Sequence, residues 1–451
     1  MMRNRPLVVL IFLLILASLA CRALLPDATP TTSPALQTEV RGTLTAAAPE
    51  TGITATVPPE SEAPATPAPD AQELHIAYIK NGEVWLWTQS EGSRQISTQG
   101  EITALTISGD GQVIAFLRQA DEVHVEMWAV NRDGSNERLL ESVEALSDMD
   151  PGAFAVVPHQ MEFFPGTHRL AYNTRQVLQG PGMLLYNDLR VVDTDTLEHG
   201  TLLAPGEGGQ FHFSPDGSQI AVVTPTEISL VNVDGSNRRD ALLNYERVLT
   251  YSEYEYYARP VWAPDSSKLR VAIPPHDSLD PAAPPTTLWE IPTSGSPAVQ
   301  IGQITAAPFF GSEAMYAPDL EHLLYLKQVG DPAANMYELH LSAADASEDV
   351  IVHTASPMTL EGWAPDSTHF VFYQGGTRTP TLGAIDGSLA PLIPDAVSVL
   401  EIYWVDAERF IYLDGGLTEE VWSLRLNTVG GESMLIDELS GPIPVVDFTG
   451  G

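Results

Sequence analysis

A chain of 451 residues, 44% of them hydrophobic, is long and apolar enough to bury a large core, which excludes global disorder. Its 59 acidic residues outnumber the 22 basic ones and leave a net charge of -37, which repels phosphate backbones and anionic headgroups, so nucleic acid is excluded as a partner. The single cysteine excludes an internal disulfide and any zinc or iron-sulfur centre built from several cysteines.

Residues 1 to 21 read MMRNRPLVVLIFLLILASLAC, with Arg3 and Arg5 ahead of an apolar run from Leu7 to Ala20. Such a run is shorter than the roughly 20 residues that span a bilayer, and reads as a signal peptide. Its end, Ser18-Leu19-Ala20-Cys21, resembles a bacterial lipobox. That resemblance implies that the Cys21 thiol carries a diacylglyceryl group and becomes the new N-terminus; ordinary cleavage without lipid and an uncleaved short anchor are the alternatives. Residues 22 to 73 are rich in Ala, Thr and Pro and have no aromatic residue, so they cannot build a core. They read as a disordered, semi-rigid tether. Seven of the acidic and four of the basic residues precede position 74, so the remaining body, 74 to 451, keeps 52 acidic and 18 basic residues.

From residue 74 onward the chain changes to short alternating runs rich in Val, Ile, Tyr, Phe and Trp, broken by turn clusters, a β pattern. One segment recurs: ISGDGQVIAFL from Ile107, FFPGTHRLAYN from Phe163, FSPDGSQIAVV from Phe213, WAPDSSKLRVA from Trp262, YAPDLEHLLYL from Tyr316, WAPDSTHFVFY from Trp363 and YWVDAERFIYL from Tyr403. Aligned on Asp110, Gly166, Asp216, Asp265, Asp319, Asp366 and Asp406, the copies carry apolar residues four and six positions later, the period of a strand with one face packed inward. Successive turn residues stand 56, 50, 49, 54, 47 and 40 apart, the size of a four-stranded blade. Asp133-Gly134 and Asp234-Gly235 read as further hairpin turns.

An eighth copy is split between the chain ends. Residues 74 to 98 supply three strands of a blade and lack the innermost; PIPVVDFTGG at the C-terminus supplies it, with Phe448 in the place of Phe213 and Ile76 in the place of Ile220. The expected fold is therefore an all-β propeller of four-stranded antiparallel blades, eight in number, closed by the C-terminal strand. Seven is the alternative, because the copy at Phe163 is divergent. These residues resemble the TolB-type, WD-like propeller repeat, marked by an aromatic-Ser/Ala-Pro-Asp-Gly/Ser turn followed by an apolar strand. The resemblance covers about residues 74 to 451 and implies the fold, not a function. It departs from TolB itself, which has an additional N-terminal α/β domain where this chain has the tether.

No catalytic motif accompanies the repeats, and neither a cofactor nor a metal is expected. The repeated aspartates read as turn residues, since an Asp in a tight turn accepts from its own following amides. His168, His322 and His369 recur at one place beside the turn and read the same way, and Asp193 and Asp195 lack the glycine and distal glutamate of a calcium loop. What stands out is loop length. The turns on one face are short, whereas the opposite face carries 174 to 188, 274 to 287, 327 to 335 and the connections around 144 to 160 and 244 to 258. Within the last, YSEYEYYARP sets Tyr251, Tyr254, Tyr256 and Tyr257 among acidic residues, the best candidate partner-binding site. The expectation is a monomeric, non-catalytic binding or scaffolding propeller, lipid-anchored outside a bacterial cytoplasmic membrane, for a protein, peptide or glycan. Two alternatives stay open: a propeller enzyme, such as a glycan lyase or hydrolase, working in the central channel, and an assembly factor of an envelope complex.

Overall fold

The computed structural model describes residues 73–97, 100–306, 314–394, 398–415, 421–441 and 444–450. The signal peptide, Cys21 and the tether up to residue 72 lie outside the described residues. No helix among the described residues is long and apolar enough to cross a membrane.

The turn chemistry is what divides the chain into blades. In the turn after Phe213, Asp216 Oδ1 accepts from Ser214 Oγ at 2.6 Å and from the Ser218 amide at 3.0 Å. Gly217 sits at φ +67° and its amide closes onto the Ser214 carbonyl at 2.9 Å. Asp110, Asp265, Asp319, Asp366 and Asp406 each accept from the amide two residues on, at 2.8 to 3.0 Å. The repeated aspartates are thus turn residues, held locally.

Each turn joins an innermost strand to a second one, and eight antiparallel sheets result. Their innermost strands are Val446–Thr449 for blade 1, then Ile102–Ile107, Ala155–Phe163, Gln210–Phe213, Val261–Trp262, Ala314–Tyr316, Met358–Trp363 and Val399–Trp404 for blades 2 to 8. The divergent copy at Phe163 builds a full blade, so the count is eight rather than seven. Blade 3 differs only in a short extra strand, Leu184–Leu185, that pairs with the end of Arg169–Val177. The first blade is closed by the C-terminal strand, with Ile76 opposite Phe448 and His75 opposite Thr449.

The second strands are buried on both faces. Ile114, Ile220 and Phe370, four residues after the turn, are fully enclosed, and so are Ala115, Ala221 and Val371 beside them. The expected one-sided strand is corrected here: a blade inside a ring has a neighbour on each side, so alternate residues feed two different interfaces. Eight apolar clusters fill those interfaces, the last joining Ile411, Leu413 and Leu424 of blade 8 to Ile76, Tyr78 and Val446 of blade 1. The aromatic residues before the turns also stitch blades through their polar ends. Trp262 Nε1 donates to the His212 carbonyl at 3.2 Å and Trp363 Nε1 to that of Met315 at 3.0 Å. Both carbonyls lie on the innermost strand of the preceding blade.

Candidate functional site

The long loops of blades 2 to 5 bear on one another. The helix Val143–Ser147, capped by Ser142 Oγ on the Ala145 amide at 3.1 Å, leads toward Asp150, whose Oδ2 accepts from the Tyr186 hydroxyl at 2.8 Å. Beside Tyr186, Asn187 Oδ1 receives the Tyr257 hydroxyl at 3.4 Å. Gly182, at φ +116°, lies so close to Glu253 that an added Cβ would stand 3.0 Å from the Glu253 Cβ, so a side chain there would be crowded and its backbone strained. On the other side the Leu249 amide donates to the His276 carbonyl at 2.7 Å. A hydrogen bond with the Tyr251 side chain holds the Asp277 carboxyl below its ordinary pKa. Thus 174 to 188, 244 to 258 and 274 to 287 form one raised group over blades 3 to 5.

The four tyrosines divide within it. Tyr256 and Tyr257 are buried, packed with Leu185, Val248 and Ala258 into the core between blades 4 and 5. They anchor the loop. Tyr251 and Tyr254 are exposed, at 59% and 50%. Tyr254 shares a pocket of about 270 Å³ with Gln210, Thr250, Ser252, Glu255, Tyr256, Tyr257 and Arg259, so three of the four tyrosines line it. Gln210 opens the innermost strand of blade 4 and Arg259 stands two residues before that of blade 5, which places the pocket at a mouth of the channel. Burial, then the Glu255 charge, pushes the Tyr257 hydroxyl up, so it stays neutral. Glu255 is engaged by Arg247 Nη1 at 2.7 Å.

The channel wall carries ionisable groups that sequence reasoning missed. Burial raises Glu162 to about 7, helped by the Asp447 charge. Burial likewise takes Glu361 to about 7, with Glu401 adding to the rise while the Ile402 amide and Arg378 oppose it. Asp447 is raised by burial although its Oδ2 accepts from the Ile107 amide at 2.9 Å. His212 is held below the usual histidine range by burial and then by Arg259. No local motif announces these residues, because each sits on a different blade. Alignment does not single them out either: the position four residues before the turn holds Glu162, His212 and Asp447 but also Thr106, Val261, Met315 and Ile402.

Several of these groups close the free channel edges of innermost strands. Asp447 does so on the Ile107 amide and Glu361 on that of Ile402, and the neutral Gln160 does so in both directions, donating to the Phe211 carbonyl at 2.6 Å and accepting from the Phe211 amide at 3.1 Å. Among the described residues no group of three or more His, Cys, Asp and Glu side chains is arranged to hold a metal ion. The candidate calcium pair forms a tight turn instead, with the Asp195 and Thr196 amides donating to Asp193 Oδ1 at 3.0 and 2.9 Å.

No family model matches the chain, and no curated protein does. Among solved structures, a eukaryotic initiation factor is similar at 11% identity and a TM-score of 0.50, covering 84% of this chain and 98% of its own. The β-propeller domain of the Trilobed protease from Pyrococcus furiosus is similar at 12% identity and a TM-score of 0.43, over 76% of this chain and 99% of that one. TolB from Acinetobacter baumannii is similar at 11% identity and a TM-score of 0.30, over 60% of this chain and 61% of that one. Likeness at this level of identity speaks for the propeller fold alone.

Proposed function

We propose that the chain is a monomeric, lipid-anchored, non-catalytic propeller that holds a protein, peptide or glycan outside a bacterial cytoplasmic membrane. The observation that carries the reading is the pocket beside Tyr254, built where the long loops of successive blades meet on a rigid ring. The apolar run ending at Cys21 supports the anchor, and the net charge of -37 argues against polyanionic partners. Affinity capture from solubilised envelope tests the binding role. The variant carrying Tyr251→Ser and Tyr254→Ser should capture the partner more than about tenfold less well, because paired aromatic anchors at an interface commonly contribute over 2 kcal/mol. Unchanged capture removes the reading. Mass spectrometry of the mature N-terminus tests the anchor: a diacylglyceryl group on Cys21 is expected, and an unmodified N-terminus elsewhere contradicts it.

A second reading, an enzyme working in the channel, has its own observation. Glu162 and Glu361, each raised to about 7, are protonated in a substantial fraction of molecules at neutral pH, which a general acid requires. Turnover of a glycan that is abolished by Glu162→Gln and untouched by the tyrosine variant would replace the binding reading with this one.

A further inference from the structure

We infer that the pocket beside Tyr254 selects a ligand by a carboxylate, carried on a flat apolar body. The inference rests on the binding role proposed for this face and names the chemistry the face recognises.

Two lining residues carry charge, Glu255 and Arg259. Glu255 is already paired with Arg247. Arg259 is exposed and has no carboxylate within ion-pair distance among the described residues, although acidic side chains hold eight other arginines of the body. The other polar groups of the pocket are mostly spent inside the loop. Ser252 Oγ accepts from the Tyr254 amide at 3.2 Å, Thr250 Oγ1 bonds the Tyr254 carbonyl, and the Tyr257 hydroxyl is turned to Asn187. What remains open are the Arg259 guanidinium, the Gln210 side-chain amide and the Tyr254 hydroxyl, and of these only the guanidinium is charged. A planar guanidinium fork matches two acceptor oxygens at once. His212, on the same strand face as Gln210, does not add a second positive charge, because burial and Arg259 keep it neutral.

Carboxylate and phosphate both fit a guanidinium fork, and the charge of the body separates them. With 52 acidic and 18 basic residues in positions 74 to 451, every unit of negative charge on a ligand adds repulsion, so a monoanion is favoured over a dianion. The flat body is assigned from Tyr254, whose half-exposed ring forms a pocket wall that an apolar face can cover.

The test titrates the full chain in detergent with 3-phenylpropionate, its neutral amide and phenyl phosphate, followed by ligand-observed NMR. The acid should bind more than about tenfold tighter than the amide, the gain expected of a bidentate charged pair, and tighter than phenyl phosphate. Arg259→Gln should bring acid and amide to equal affinity, whereas Tyr254→Ser should weaken both alike. Equal binding of acid and amide to the unaltered chain overturns the inference, as do tighter binding of phenyl phosphate, a preference for the acid that survives Arg259→Gln, and binding of none of the three. Capture of the envelope partner separates the two claims. Loss of capture in Tyr254→Ser together with full capture in Arg259→Gln leaves the binding role standing and removes the carboxylate; full capture by both variants removes the binding role as well.

Discussion

Ile76 and Phe448, from opposite ends of the chain, face each other as antiparallel partners in the first blade. Around that pair the C-terminal strand also places Val446 in the core between blades 8 and 1, gives the Val445 carbonyl to the Ile79 amide at 3.1 Å and sets Asp447 on Ile107 of blade 2. Removing residues 442 to 451 therefore opens two blade interfaces at once. The truncated chain should lose about 3 kcal/mol or more, the scale of deleting a large buried side chain together with its strand partners. Urea unfolding checks this, and an unchanged midpoint would contradict closure as a stabilising device.

The tyrosines should separate into two classes by stability. Tyr251→Ser and Tyr254→Ser alter exposed side chains and should shift stability by about 0.5 kcal/mol or less. Tyr256→Ala and Tyr257→Ala remove buried rings and should each cost about 3 kcal/mol. Replacing all four together would confound binding with folding, so the binding variant is confined to the exposed two. Thermal or urea denaturation of the four single variants is the check.

His168 clasps blades 2 and 3 between two carboxylates, with Nε2 3.0 Å from Asp110 Oδ2 and Nδ1 2.8 Å from Asp195 Oδ2; Arg138 Nη2 lies 3.6 Å from the other oxygen of Asp195. Burial opposes the imidazolium, but the two carboxylates outweigh it and its pKa is raised above 6.5. A raised histidine contributes stability that is fully present below the unfolded value and lost as pH rises through the folded one. Unfolding midpoints should therefore fall from pH 6 to pH 8, and His168→Gln should flatten that part of the profile. An unchanged profile in the variant would show that the clasp does not form.

Asp216 gives the opposite sign. Hydrogen bonds from Ser214 and from Ser218 hold its carboxyl at about 2, against an ordinary value of 3.8. Its contribution is present above that ordinary value and lost as pH falls through about 2. Asp216→Ala should lower the urea midpoint at pH 7, and the deficit should shrink steadily from pH 4 to pH 2. A deficit undiminished at pH 2 would mean that the substitution acts through the backbone of the turn, not through the charge.

The ring was legible in the sequence because the blade turn is a local device. An Asp that accepts from amides within its own turn leaves a mark at one repeated position, and the split blade showed itself because Phe448 and Ile76 keep the places of Phe213 and Ile220. The burial of Ala115 and Ala221 was less legible, since a small residue between two large ones looks like an outward position until a neighbouring blade covers it. The site was legible as a run of tyrosines, but which of them face solvent depends on Leu185 and Asn187 from another blade. The Asp447 charge on blade 1 raises Glu162 on blade 3, a relation that neither local spacing nor periodicity records.

Hydrogen-deuterium exchange of the full chain, with and without solubilised envelope, tests most directly whether the elaborated face is the working surface. Added protection is expected at 245 to 259 and at 182 to 188, with none at the opposite hairpins around Gly134 and Gly235. Protection confined to those hairpins, with the tyrosine loop unchanged, would contradict a working role for the elaborated face.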